Sequence, residues 1–228
     1  MIHYHGTPMG CRSIDVPRFL AGRHALVSFA RPDDLQVVRT NCSSYCLDNG
    51  AFTAWKLGTT IDFDAYRRWV DMYSRDQAFD FAIAPDVIDG SEIENNAMLN
   101  DFKDCVPVFH MHESIERFEM LCHSYPMVAL GSSGMFSSPG TPSWWTRMGQ
   151  LMESVCVDGL PPCKFHGLRM LDNEIFTHIP LRSADSTNVA QNSSGGSFIQ
   201  QAETIAMRTE MHQSPCRWFS YGVQEEML

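Results

Sequence analysis

None of the eight cysteines, at 11, 42, 46, 105, 122, 156, 163 and 216, stands in a C-x-x-C pair, so a structural zinc knuckle is not expected. Several lie in apolar segments, where a thiol behaves as a small hydrophobe; reduced cysteines without a disulfide framework are expected. Long apolar runs are also missing. The stretch 127–130 is representative, which argues against a membrane-spanning helix, leaves no signal-peptide core behind Met1, and predicts a soluble, cytoplasmic protein. Positive charge is scarce: 17 Lys and Arg stand against 27 Asp and Glu, a formal charge of -10. Nucleic-acid affinity comes largely from neutralised phosphates, so this balance excludes a broad DNA- or RNA-coating surface and leaves room only for a local, shape-selected contact. The chain has no internal repeat and no dividing linker. Its one low-complexity block, Ser-Ser-Gly-Gly-Ser at 193–197, lacks the G-K-[ST] ending of a phosphate loop and reads as a flexible connection.

What is present fits one sizeable core in 228 residues, a single domain over 1–228. Short apolar runs recur at 2–5, 25–30, 45–47, 81–84, 106–111, 127–130, 164–168 and 180–184. Most are apolar on successive positions, the pattern of strands buried on both faces of a parallel sheet. Helical patterns lie between them. The segment 61–74 puts Phe63, Tyr66, Val70 and Tyr73 on one face, with Asp62 and Asp64 expected in its first turn. Ser91 and Glu94 form an S-x-x-E capping box, Ser114 can cap the helix carrying Ile115, Phe118 and Leu121, and 199–212 shows a stripe of Ile199, Ala202, Ile205 and Met207. Eight strands alternating with helices predict an α/β fold, a compact (β/α)8 barrel of the TIM type; a doubly wound open sheet is the runner-up.

In such a barrel the chemistry lies where strands end. The ends here include His3-Tyr4-His5-Gly6, Asp48-Asn49-Gly50-Ala51-Phe52, Pro85-Asp86-Val87-Ile88-Asp89-Gly90, His110-Met111-His112-Glu113, Gly131-Ser132-Ser133-Gly134, His166-Gly167-Leu168-Arg169 and Asp185-Ser186-Thr187-Asn188. Asp or Asn before Gly is ordinary turn chemistry, and Ser or Asp before a helix is an ordinary cap. Caps alone do not call for Asp48, Asp86, Asp185, His110, His112 and His166 at one level on different strands.

At these ends the sequence resembles the queuine tRNA-ribosyltransferase superfamily, the tRNA-guanine transglycosylases, and particularly their small phage-borne relatives and the branch that inserts 7-deazaguanines into DNA. Asp48-Asn49-Gly50-Ala51-Phe52 resembles the family's D-S-G-G-F element, Ala84-Pro85-Asp86 its base-reading Asp, and Val128 to Gly134 its Gly-rich strand. Lys164 to Leu168 is similar to the strand leading to a Gly turn, and Ala184-Asp185-Ser186 to the segment with the nucleophilic Asp. The order of all five agrees over 45–192. The family's C-x-C-x-x-C zinc site has only Cys216 in its place, so the zinc subdomain is expected to be absent, and Phe109-His110-Met111-His112 replaces a Gln-Gly-Gly type of element.

The resemblance implies an enzyme that exchanges a base at the N-glycosidic bond of a guanine-type nucleotide, a pentosyltransferase, or an N-glycosidase if water enters. Its partners would be guanine or a 7-deazaguanine and a nucleotide or nucleic acid, with no membrane, cofactor or metal. Asp185 would attack C1′ and Asp48 would move the base proton. Asp86, Asn49, His110, His112, Gly131, Ser132, His166 and Phe52 would bind the substrate; Trp55 and Phe109 are further stacking candidates, and Arg31 or Arg169 could hold a phosphate. A second reading is a metal-dependent, amidohydrolase-like barrel hydrolase with His3, His5, His110 or His112, His166 and Asp185 around zinc. A third is an inactive nucleotide-binding barrel. His24, His123, His178 and His212 are read as structural, and so is His3 outside the metal reading.

Overall fold

Strands with apolar side chains on both faces need cover from two sides, and the chain supplies it by alternating strand with helix. The computed structural model describes residues 1–7, 9, 14–193 and 195–219. Its first half runs β1 (Ile2–Gly6), α1 (Val16–Leu20), β2 (His24–Ser28), α2 (Leu35–Asn41), β3 (Ser44–Asp48), α3 (Ala51–Leu57), α4 (Phe63–Tyr73), β4 (Phe79–Ala82) and α5 (Glu92–Leu99). The second half runs β5 (Val108–His110), α6 (Ile115–Ser124), β6 (Met127–Gly131), α7 (Pro142–Val155), β7 (Lys164–Gly167), α8 (Asn173–Phe176), β8 (Ser183–Ser186), α9 (Asn188–Asn192) and α10 (Phe198–Glu210). The eight strands form one parallel sheet in the order β4-β3-β2-β1-β8-β7-β6-β5.

The sheet curls in the manner of a TIM-like fold but is not closed into the expected barrel: β4 and β5 form no ladder, and an isolated bridge lies between their flanking residues. Ile83, just past β4, and Val106, ahead of β5, form a parallel bridge in which Val106 N–H donates to Ala82 O and Ala84 N–H to Val106 O, each at 2.8 Å. The inner face carries Tyr4, Leu26, Cys46 and Phe81, then Ile83, Val106, Val108 and Ala129. The outer face carries Tyr45, Leu47, Phe109, Val128, Leu130 and Phe165, packed with helix residues such as Phe19, Tyr66, Phe118, Trp144 and Leu151. Register slips between Tyr45 and Cys46 on the β3–β4 pair, an irregularity the apolar pattern does not encode.

Each of the eight apolar runs overlaps a strand, with offsets at the ends such as β4 starting at Phe79 and β8 running on to Ser186. The capping box closes in both directions: Ser91 Oγ accepts from Glu94 N–H at 3.3 Å, and Glu94 Oε2 accepts from Ser91 N–H at 2.8 Å. Ser114 Oγ caps α6 by accepting from Arg117 N–H. Other expectations shift. Asp62 is the N-cap of α4, accepting from Ala65 N–H at 2.8 Å, so only Asp64 lies in its first turn. α10 buries Phe198, Ala202, Ala206 and Thr209, while Met207 is exposed, because an i, i+4 row cannot include a residue five places after Ala202. Helix α7 is absent from the sequence reading; Thr141 caps it, Pro142 opens it, and Trp144, Met148, Leu151 and Met152 are its buried stripe. In the 193–197 block, Ser193 is buried with its hydroxyl donating to Val189 O, and Gly195–Ser197 form a 3-10 turn into α10; Ser194 lies outside the described residues. The cysteines other than Cys11, which also lies outside, are free thiols. No helix among the described residues is long and apolar enough to cross a membrane.

Candidate active site

Parallel strands deliver their carboxyl ends to one rim, and three aspartates arrive there. Asp48 is the last residue of β3. Its Oδ2 accepts from Gly50 N–H at 3.0 Å and a second hydrogen bond comes from Ser28 at the end of β2. Gly50 has φ of 82°, and a Cβ there would stand 3.1 Å from Ala30 N, so this turn from strand into α3 is built for glycine.

Asp86 follows β4 and is held from two sides. Asn49 Nδ2 donates to Asp86 Oδ1 at 2.7 Å and to Ala84 O at 2.6 Å, while Asn49 Oδ1 accepts from Ala51 N–H at 2.7 Å. His110 Nε2 stands 2.9 Å from Asp86 Oδ2. His112 lies over His110 with ring centroids 5.8 Å apart; it is exposed, and its Nδ1 meets Ser133 Oγ at 2.8 Å. Gly131 is opposite His110 in register and its carbonyl accepts from Met111 N–H.

Asp185 is on β8, and its Oδ1 accepts from the backbone N–H of Arg169 at 2.9 Å. Arg169 adopts φ of 58°, a left-handed conformation that costs a residue with a Cβ roughly 1–2 kcal/mol. The strain turns its amide onto Asp185 and its guanidinium over the Phe52 ring, 4.4 Å from the centroid. Phe52 and Trp55 on α3 remain exposed, and Trp55 Nε1 donates to Asp89 Oδ2 at 2.6 Å. The three acidic segments are therefore tied together across the rim.

Asp48 has its carboxyl pushed up to about 6, first by burial and then by the negative charges of Asp185 and Asp86, against the hydrogen bonds from Ser28 and Gly50. The native state thus binds this proton more tightly than the unfolded chain, whose Asp titrates near 3.8. Stability falls as pH rises between those values, and above the upper one the full cost of an ionised Asp48 remains. Asp48→Asn is expected to match the wild type in free energy of unfolding near pH 4 and to exceed it at pH 7.5 by about 1–3 kcal/mol. Thermal unfolding at the two pH values checks this; an Asn variant no more stable at pH 7.5 would show that the carboxyl is not perturbed.

Several expected substrate contacts are placed elsewhere. Ser132 points outward, its Oγ accepting from Trp144 Nε1 at 3.0 Å. Asn49 is buried, with its amide hydrogen-bonded to Asp86 and to the backbone. His166 is fully buried beneath Asp185, and His110 is buried behind Asp86. Phe109 faces Phe118 at 4.8 Å on the outer side of the sheet. The metal reading loses its geometry for the same reason: His3 packs on Phe176, and His5 on Phe19 and Glu210, whereas His166 packs on Tyr4 of the inner face. Among the described residues no group of three or more His, Cys, Asp or Glu could hold a metal ion.

A buried polar chain behind the rim escaped the sequence reading. Glu113 accepts from His110 N–H at 2.8 Å, from Asn95 Nδ2 at 3.1 Å and from Arg117, and Asn95 Oδ1 accepts from Val87 N–H at 2.8 Å. It links the Asp86 loop to the strand end that carries His110. Asn95 sits in a run that reads as a solvated helix face, so nothing in the sequence marks it. A cavity of about 300 Å³ along α3 is lined by Phe29, Asn49, Gly50, Thr53, Leu57 and Asp62, and none of Asp48, Asp86 and Asp185 is among its lining residues. Comparison of the chain with protein families, curated proteins and solved structures gives no match.

Proposed function

We propose that the protein is a base-exchange enzyme acting at the N-glycosidic bond of a guanine-type nucleotide, built on a TIM-like α/β fold whose curled parallel sheet is not closed into a full barrel. The observation that carries this reading is the meeting of Asp48, Asp86 and Asp185 at one rim, with one carboxyl raised and another held by a backbone amide. The likeness of the segments around these residues to tRNA-guanine transglycosylases supports it further.

Asp185 has Oδ1 occupied by Arg169 N–H, which leaves Oδ2 to attack C1′. The C1′–N bond breaks as the C1′–O bond forms, and the electron pair goes to the base. Asp48, protonated in a useful fraction near pH 6, gives the departing base its proton. An incoming base then loses its N–H proton to Asp48, attacks C1′ and releases Asp185 as a carboxylate. Asp86, held by Asn49 and close to His110, accepts from the N1 hydrogen and 2-amino group of the ring. Phe52, partly exposed at the rim, would stack with the ring face that the Arg169 guanidinium leaves uncovered.

The test incubates the protein with 7-deazaguanine and a guanosine-containing DNA oligonucleotide, its RNA counterpart or free guanosine, and follows polymer or nucleoside mass together with released guanine. Incorporation matched by guanine release is the expected result. Guanine release alone would make the protein an N-glycosidase, and silence from all three substrates would overturn the reading in favour of a binding barrel.

A further inference from the structure

His166 has no role in the chemistry above, yet its surroundings are specific. It is 0% exposed on β7, with Nδ1 2.9 Å from Ser183 Oγ. Its ring is wedged edge-on between Tyr4, 5.9 Å away, and Phe81, 5.2 Å away. These contacts leave the ring one orientation, in which Nε2 lies 3.4 Å from Asp185 Oδ1 and has no hydrogen-bond partner. A buried ring nitrogen without a partner calls for an explanation, since a phenyl group would fill an aromatic slot with no polar atom to satisfy.

We infer that His166 is the positioning residue for Asp185, an inference that rests on the base-exchange reading of the same rim. With the Ser183 hydroxyl donating to Nδ1, the ring proton sits on Nε2 and faces Oδ1. A small rotation of the carboxylate closes the remaining gap. Oδ1 is then held by two donors, the Arg169 amide and the imidazole, and Oδ2 alone is presented to C1′. The same N–H stabilises the carboxylate as it leaves the sugar in the second half of the exchange. The proton stays on Nε2 throughout, so no net transfer is required. His166 touches no substrate and acts only through Asp185.

Two measurements test this. In protein labelled with nitrogen-15 histidine, the His166 resonances, assigned by their loss in His166→Gln, should report a proton on Nε2 and should shift when Asp185 is replaced by Asn. A resonance indifferent to Asp185→Asn would overturn the pairing. In the base-exchange assay, His166→Phe keeps an aromatic ring between Tyr4 and Phe81 and is expected to lower kcat by roughly 10- to 100-fold with KM unchanged. His166→Gln, whose amide N–H can reach Asp185, should recover part of that loss. Wild-type kcat in a folded His166→Phe, or equal kcat in the two variants, would refute the assignment. If the wild type itself exchanges no base, the functional reading falls while the spectra still decide whether His166 and Asp185 interact.

Discussion

Asp185→Asn is expected to lower base exchange by at least about 10³-fold while leaving the melting temperature within a few degrees of wild type. The magnitude follows from loss of the proposed nucleophile, because an amide oxygen cannot form and release the glycosyl ester. Preservation of the fold follows from geometry: Asn has the same shape, and its oxygen can still accept from Arg169 N–H. Mass spectrometry of acid-quenched wild-type reactions should find a glycosyl adduct on the peptide containing Asp185, absent in the variant. An Asn variant with full turnover would remove Asp185 from the chemistry, whatever the fate of Asp48.

The second large effect is on stability and arises behind the rim. Arg117→Ala leaves Glu113, 3% exposed, without its cation in a site that water does not reach. Breaking a buried ion pair from one side costs about 3–5 kcal/mol, several times a typical surface change. Denaturant unfolding should show that loss, together with weakened exchange activity, because Glu113 also fixes the His110 amide and, through Asn95, the loop following Asp86. Replacing both partners, Arg117→Met with Glu113→Gln, should restore much of the stability. A single Ala variant losing under about 1 kcal/mol would mean that Glu113 finds water or a proton in place of Arg117.

The two effects differ in how far the sequence announces them. Eight apolar runs marked eight strands because residues such as Val128 and Leu130 are hydrophobic beside neighbours that are hydrophobic too, and Asp48, Asp86 and Asp185 stood within two residues of the ends of such runs. Strand phase was harder to read. His3 and His5 do share a face, as i and i+2 must, but a strand buried on both sides does not reveal which face turns inward. The same ambiguity sent Ser132 to Trp144 and Phe109 to Phe118. Asn95 and Glu113 were hidden for another reason: a buried polar group is defined by its partners, which lie on other elements and leave no periodic trace.

The pairing of β1 with β8, Ile2 opposite Ser183, sets the timing of the fold as well as its shape. Strand β1 has β2 for one neighbour early, but its other neighbour, β8, lies far along the chain and is synthesised long after it. Contacts so distant in sequence carry a large loop-closure entropy and form late. Asp48 and Asp185 belong to opposite sides of that junction, so an unfinished chain holds neither a complete rim nor a carboxylate pair. On the base-exchange reading, reactivity toward a glycosidic bond would arrive together with β8, and a chain shortened ahead of β8 would be inert.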